Sequence, residues 1–214
     1  MKFTKTGRAA YISHLDLMRL LHRAFMRAGL PLRYSEGYNP HPQISIALPL
    51  PVGCESLCEL MDFSPDGFTD PLDIPKKLNP VLPEGIEVLK VYEAVRKTKE
   101  IKWLFVEGRF EYDRCRPDKA EALASELFTR QKLEVLKKAK QGPVITDIRS
   151  MIGDIEIVRA PRGLSVNAVI SAQDPTLNPE MLAEALRQLK PEAAPDFSSF
   201  RRLSAADDMM REFE

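Results

Sequence analysis

Arginine recurs every four residues at Arg19, Arg23 and Arg27, and the chain soon afterwards reads RYSEGYNPHP, from Arg33 to Pro42. On a helix such steps line guanidinium groups along one face, a ladder suited to the phosphates of a nucleic-acid strand. The loop adds Tyr34 and Tyr38, which can stack on bases, and Asn39 and His41, which can hydrogen-bond base edges. Gly37 frees the backbone while Pro40 and Pro42 stiffen the exit, so these groups sit on a rigid loop. The plain alternative is a solvated helix face and a structural loop whose tyrosines pack against a sheet. His14 and His22, on the same helix, are candidate acid or base groups, or histidines bonded to backbone. His14, His22 and His41 lack the i, i+4 spacing of helical zinc pairs, so neither a metal nor a cofactor is expected. Cys54 and Cys58 lack a third partner for a C-x3-C-x2-C iron–sulfur cluster, because Met61 stands there. Four apart on a strand, the two thiols share one face and read as small buried hydrophobes. Cys115 is isolated. Asp147 and Arg149 form either a surface ion pair or a buried orienting one. No phosphate-loop, dinucleotide, serine-hydrolase or zinc-protease motif is present.

The arginines need a helix beneath them. Ser13 with Asp16 three residues on is a capping-box pattern, and Leu17, Met18, Leu20, Leu21, Ala24, Phe25 and Ala28 supply an apolar face up to Gly29 and Pro31. Leu15 and Met26 fall on the polar side and require cover by a loop or a partner. Before this helix, Phe3 to Ile12 reads as a strand with a Gly7-Arg8 step. After it, Gln43–Leu50, Ser56–Phe63 and Ile86–Val95 read as strands, with a short helix over Pro71–Leu78. The order β-α-β-β-α-β is that of a ferredoxin-like unit. RKTKEIK, residues 96–102, reads as a linker between domains. Beyond it, strands over 103–112, 132–138, 155–159, 164–172 and 197–203, with helices over 117–129 and 180–189, repeat the pattern around an extra segment, VITDIRSMIGD. The expected fold is therefore α+β: two tandem ferredoxin-like domains, residues 1–95 and 103–204, with a frayed tail over 205–214.

The 214 residues are 44% hydrophobic with a formal net charge of zero, which excludes a disordered chain and a polybasic binder. The charge is nevertheless segregated. Residues 1–42 carry seven Lys or Arg against two acids, and residues 43–95 carry three against nine. A local basic face is compatible with that balance. No apolar run reaches the ~20 residues that span a bilayer, no signal peptide is evident, and three cysteines make no disulfide framework. A cytoplasmic protein without membrane contact is the expectation.

ISHLDL at Ile12–Leu17, AGLP at Ala28–Pro31, GYNPHP at Gly37–Pro42 and PLPVG at Pro49–Gly53 together resemble the radical-SAM-linked protein family of bacteria. A weaker element of that family, D-[LI]-R-P-[LM]-[IV], falls at Asp147–Ile152, with Ser150 where proline is usual. The resemblance implies a radical-SAM protein as partner and an RNA-related accessory role. Three functions remain open at this point. One is a non-catalytic module binding RNA or a ribonucleoprotein through His14, Arg19, Arg23, Arg27, Tyr34, Tyr38, Asn39 and His41. Another is a metal-independent ribonuclease of the repeat-RNA-processing type using His14 or His22. The third is a protein-only scaffold docking through Leu15 and Met26. The absence of any glycine after Gly163 counts against the ribonuclease, whose relatives carry a Gly-rich loop near the C-terminus.

Overall fold

The computed structural model describes residues 1–113, 117–139 and 142–213, so Cys115 lies outside the described residues. The fold class is α+β, and the chain divides into two compact units, Met1–Thr98 and Lys99–Phe213. Among the described residues no helix is long and apolar enough to cross a membrane.

In the first unit the order is β1 (Lys2–Lys5), α1 (His14–Arg27), β2 (Ile44–Ala47), β3 (Glu55–Phe63), α2 (Ile74–Leu78) and β4 (Ile86–Lys90). The strands lie in the order β4-β1-β3-β2, each neighbouring pair antiparallel. Alternation sends Phe3 and Met61 into the core, where they meet Leu17, Leu21 and Phe25 of α1 and Ile74 and Leu78 of α2. Phe25 packs on Phe63 with ring centroids 5.0 Å apart. The expected strand Phe3–Ile12 stops at Lys5, and Gly7–Tyr11 is a 3-10 turn instead. Gly7 turns the chain at φ +56°, the Ala9 N–H donates to the Thr6 carbonyl, and the buried Lys5 Nζ donates to the Ala10 carbonyl at 3.0 Å. Burial pushes the Lys5 ammonium below its ordinary value, while nearby Glu59 and Cys54 act in the opposite direction. Cys54 and Cys58 are buried free thiols, with Cys58 in β3 and Cys54 just before it.

The second unit runs β5 (Trp103–Glu111), α3 (Pro117–Phe128), β6 (Glu134–Ala139), β7 (Gly142–Asp147), β8 (Ile152–Ala160), β9 (Gly163–Ser171), α4 (Glu180–Leu189) and β10 (Phe197–Ala206). Its strands lie β10-β5-β9-β8, again antiparallel, while β6 and β7 pair only with each other as a ribbon. The expected strand at 132–138 is therefore one arm of that ribbon, and most of the extra segment is its other arm and the connection to β8. Gln188 on α4 closes the outer edge of β6, its amide exchanging two hydrogen bonds with the Leu136 backbone at 2.8 and 3.0 Å. Inside the unit, Leu104, Val106, Phe110, Leu164 and Val166 on the strands and Ala120, Leu127, Leu182 and Leu186 on the helices are buried. Phe200 lies across Gly108, where a Cβ would stand 2.5 Å from the ring.

At the end of the expected linker, Ile101 is fully buried and the Lys102 N–H donates to the Ala206 carbonyl. Residues 205–213 of the expected tail are held in place. β10 continues to Ala206, Phe213 is buried, and its N–H donates to the Ala205 carbonyl at 2.8 Å. Asp207, its side chain 3% exposed, holds this turn by accepting from the N–H groups of Met209 and Arg211 and pairing with the Arg211 guanidinium. Burial raises its pKa, but the Arg211 and Met209 hydrogen bonds outweigh that and bring it down to about 2. A carboxylate depressed from about 3.9 in the unfolded chain stabilises the fold above that value and stops doing so as pH falls towards 2. Asp207→Asn is thus expected to lower the Tm at neutral pH, and the difference from the parent should close at about pH 2 in a melting series.

Candidate functional site

Local chemistry positions α1. The Ser13 hydroxyl accepts the Asp16 N–H at 3.2 Å and donates to the Asp16 carboxylate at 2.7 Å. That bond and the Arg19 guanidinium hold the Asp16 carboxyl below its ordinary range. At the other end Gly29 takes φ +66°, and Leu30 N–H donates to Phe25 O and Gly29 N–H to Met26 O, a Schellman termination. With Leu17, Leu21, Ala24 and Phe25 buried, the outer face carries Leu15 and Met26, 66% and 65% exposed, together with Arg19, Arg23 and Arg27.

The three arginines are not equivalent. Arg19 pairs with Asp16 at 3.1 Å, and Arg27 donates to the Val81 carbonyl at 2.9 Å, tying α1 to the turn after α2. Arg23 is exposed and engages no group among the described residues. His14 opens the helix and His22 follows eight residues later, about 12 Å along the axis.

The loop after α1 is a braced hairpin. Gln43 N–H donates to Arg33 O and Ser35 N–H to His41 O, both at 2.8 Å, while His41 N–H donates to the Ser35 hydroxyl at 3.0 Å. Tyr34 bridges to Pro42, and its hydroxyl lies 2.8 Å from His22 Nε2, with the rings edge to face. Tyr34 is consequently the hinge pin between helix and loop. Tyr38 sits at the tip with its side chain 99% exposed, beside exposed Asn39, and Gly37 supplies φ +121° there. The structure brings Tyr34 onto α1 through His22, a contact between residues 12 apart that no local pattern announces.

Asp147 and Arg149, left open by their sequence, hold a turn. The Asp147 carboxylate accepts the N–H groups of Leu133 and Arg149, which keep its pKa low, and the Arg149 guanidinium donates to the Ile152 carbonyl. They pin the base of the β6–β7 ribbon. Among the described residues no group of three or more His, Cys, Asp or Glu is placed to hold a metal ion.

Among solved structures, a chain in the crystal structure of a Cbf5-Nop10-Gar1 complex is similar in fold, with a TM-score of 0.52 at 8% sequence identity. The match covers 96% of this chain and 49% of that one, so the protein spans about half of that chain's length. No curated protein matches the sequence. Residues 1–179 match the family described as "Uncharacterized protein conserved in bacteria (DUF2344)", and the chain belongs to that family.

Proposed function

We propose that this protein is a non-catalytic module that binds single-stranded RNA, or RNA within a ribonucleoprotein, and acts with a radical-SAM protein. The observation that carries the RNA reading is the pairing of a fully exposed Tyr38, held out on a braced loop, with the unengaged Arg23 on the adjoining helix. A base stacked on Tyr38 and a phosphate on Arg23 together make a minimal single-strand site, with Asn39 and His41 available for base edges. The radical-SAM partner comes from the family resemblance of the ISHLDL and GYNPHP motifs. Each unit is read as a ferredoxin-like module, in support of which its four main strands lie in the spatial order fourth, first, third, second. The ribbon is then an insertion in the second module.

The ribonuclease alternative is the weaker reading because His22 is committed to Tyr34. The test is a fluorescence-anisotropy titration of labelled single-stranded RNA at low salt, with the same RNA afterwards run on a denaturing gel. Saturable binding without cleavage is expected, unchanged in RNA integrity by His14→Ala. Cleavage lost in His14→Ala or His22→Ala would establish the nuclease, and no binding at low salt would favour the protein-only scaffold.

A further inference from the structure

The connection from β3 to α2, Ser64–Asp73, carries Asp66, Asp70 and Asp73 and no Lys or Arg. It also holds two of the most exposed large apolar side chains of the first unit, Phe68 at 96% and Leu72 at 72%. The backbone around them is fixed. Asp66 N–H donates to the Pro31 carbonyl at 2.9 Å, Leu32 bridges to Pro65, and Leu72 N–H donates to the Asp70 carboxylate at 2.9 Å. Buried Ile74 anchors the far end. A braced loop that presents apolar knobs between acids is a surface that lacks its cover.

The matching surface is on the same unit. The outer face of α1 presents Leu15 and Met26 with arginines between and beside them, so one patch reads apolar–acid–apolar and the other apolar–arginine–apolar. Within each patch most charges are already engaged: Arg19 by Asp16, Arg27 by the Val81 carbonyl, Asp70 by Leu72 N–H and Asp73 by Lys76. One charge on each side is left over. The Arg23 guanidinium and the Asp66 carboxylate are exposed and have no partner among the described residues. The Pro31–Asp66 and Leu32–Pro65 contacts also place the loop directly beyond the C-terminal end of α1.

From this we infer that the chain forms a two-fold homodimer in which the Ser64–Asp73 loop of each copy covers the α1 face of the other, with Arg23 meeting the partner copy's Asp66. Neighbouring patches of opposite sign on one unit are what a two-fold axis needs, since the contact between the patches then occurs twice and the assembly closes. The dimer does not rest on the RNA reading; it engages the same Arg23, so RNA and the second copy compete for that side chain.

Sedimentation velocity of the full chain without RNA tests this separately from any nucleic-acid binding. A dimer is expected at about 0.1 mM protein and low ionic strength, weakening towards about 1 M salt, where the screening length falls to about 3 Å. Arg23→Glu and Asp66→Lys should each weaken it at least about tenfold, because like charges then face each other at both symmetric contacts. Mixing the two variants should restore the dimer, since in the mixed pair every contact is again of opposite sign. Both side chains are exposed, so unchanged circular dichroism confirms folding. Phe68→Asp should also leave a monomer. A parent that stays monomeric at about 0.1 mM, a dimer indifferent to these substitutions, or variants that fail to pair on mixing would each overturn the proposal.

Discussion

Tyr38→Ala is expected to weaken binding of single-stranded RNA by about fivefold to 150-fold, the loss of about 1–3 kcal/mol from one base–aromatic stack. The side chain is fully exposed and the loop's hydrogen bonds run through Ser35, His41 and Gln43, so the substitution removes the platform without loosening the loop. Stacking releases no counterions, and the slope of log affinity against log salt should therefore stay as it is. Arg23→Glu should act differently, weakening all sequences alike and flattening that slope by about 0.7. An arginine stripe met only as a sequence suggests three phosphate contacts and a slope of about 2. Because Arg19 and Arg27 are already spoken for by Asp16 and Val81, the parent slope should lie closer to about 0.7. Anisotropy titrations across a salt series measure both quantities. A Tyr38→Ala protein with parental affinity would remove the stacking half of the proposal, and a slope near 2 that Arg19→Ala lowers would show that the Asp16 pair opens on binding.

What was legible in the sequence was whatever depends on neighbours along the chain. The Ser13–Asp16 cap, the Leu17, Leu21, Ala24 and Phe25 face, and the Gly29 stop are all set within a few residues, and α1 forms where they indicate. The outward position of Leu15 and Met26 followed from the same 100° arithmetic. Errors arise where pairing is non-local. Nothing in Glu134–Ala139 says that this strand joins a ribbon rather than the main sheet, because alternation is the same in both. Lys5 is buried because the 3-10 turn, which stands where the strand was expected to continue, offers it the Ala10 carbonyl. The tail reads as polar, but Asp207 collects donors from the next turn, and Phe213 then follows into the interior. In the proposed site, the placing of the three arginines on one helix face was readable. Which arginine is free was not, since the partner of Arg27 is a backbone carbonyl 54 residues away.

Gly85→Ala should cost about 2–4 kcal/mol of stability, from a strained backbone and a steric clash together. Gly85 has φ +88°, and a Cβ there would lie 2.2 Å from the Thr6 carbonyl oxygen, a backbone atom that cannot swing away. That carbonyl also accepts the Ala9 N–H that starts the Gly7–Tyr11 turn, and Thr6 N–H donates to Gly85 O at 2.8 Å. Displacing Thr6 therefore disturbs the β1–β4 pairing and the approach to α1 at once. The single tryptophan, Trp103, belongs to the second unit, whereas far-UV circular dichroism reports both. If each unit unfolds on its own core, Gly85→Ala should move part of the dichroism transition to lower urea and leave the Trp103 fluorescence transition in place. Gly163→Ala offers the reverse case: its Cβ would approach the Phe110 carbonyl within the second unit, so it should shift the fluorescence transition. Coincident shifts of both probes in both variants would show that the two units unfold as one cooperative body, and would overturn the reading of two tandem domains.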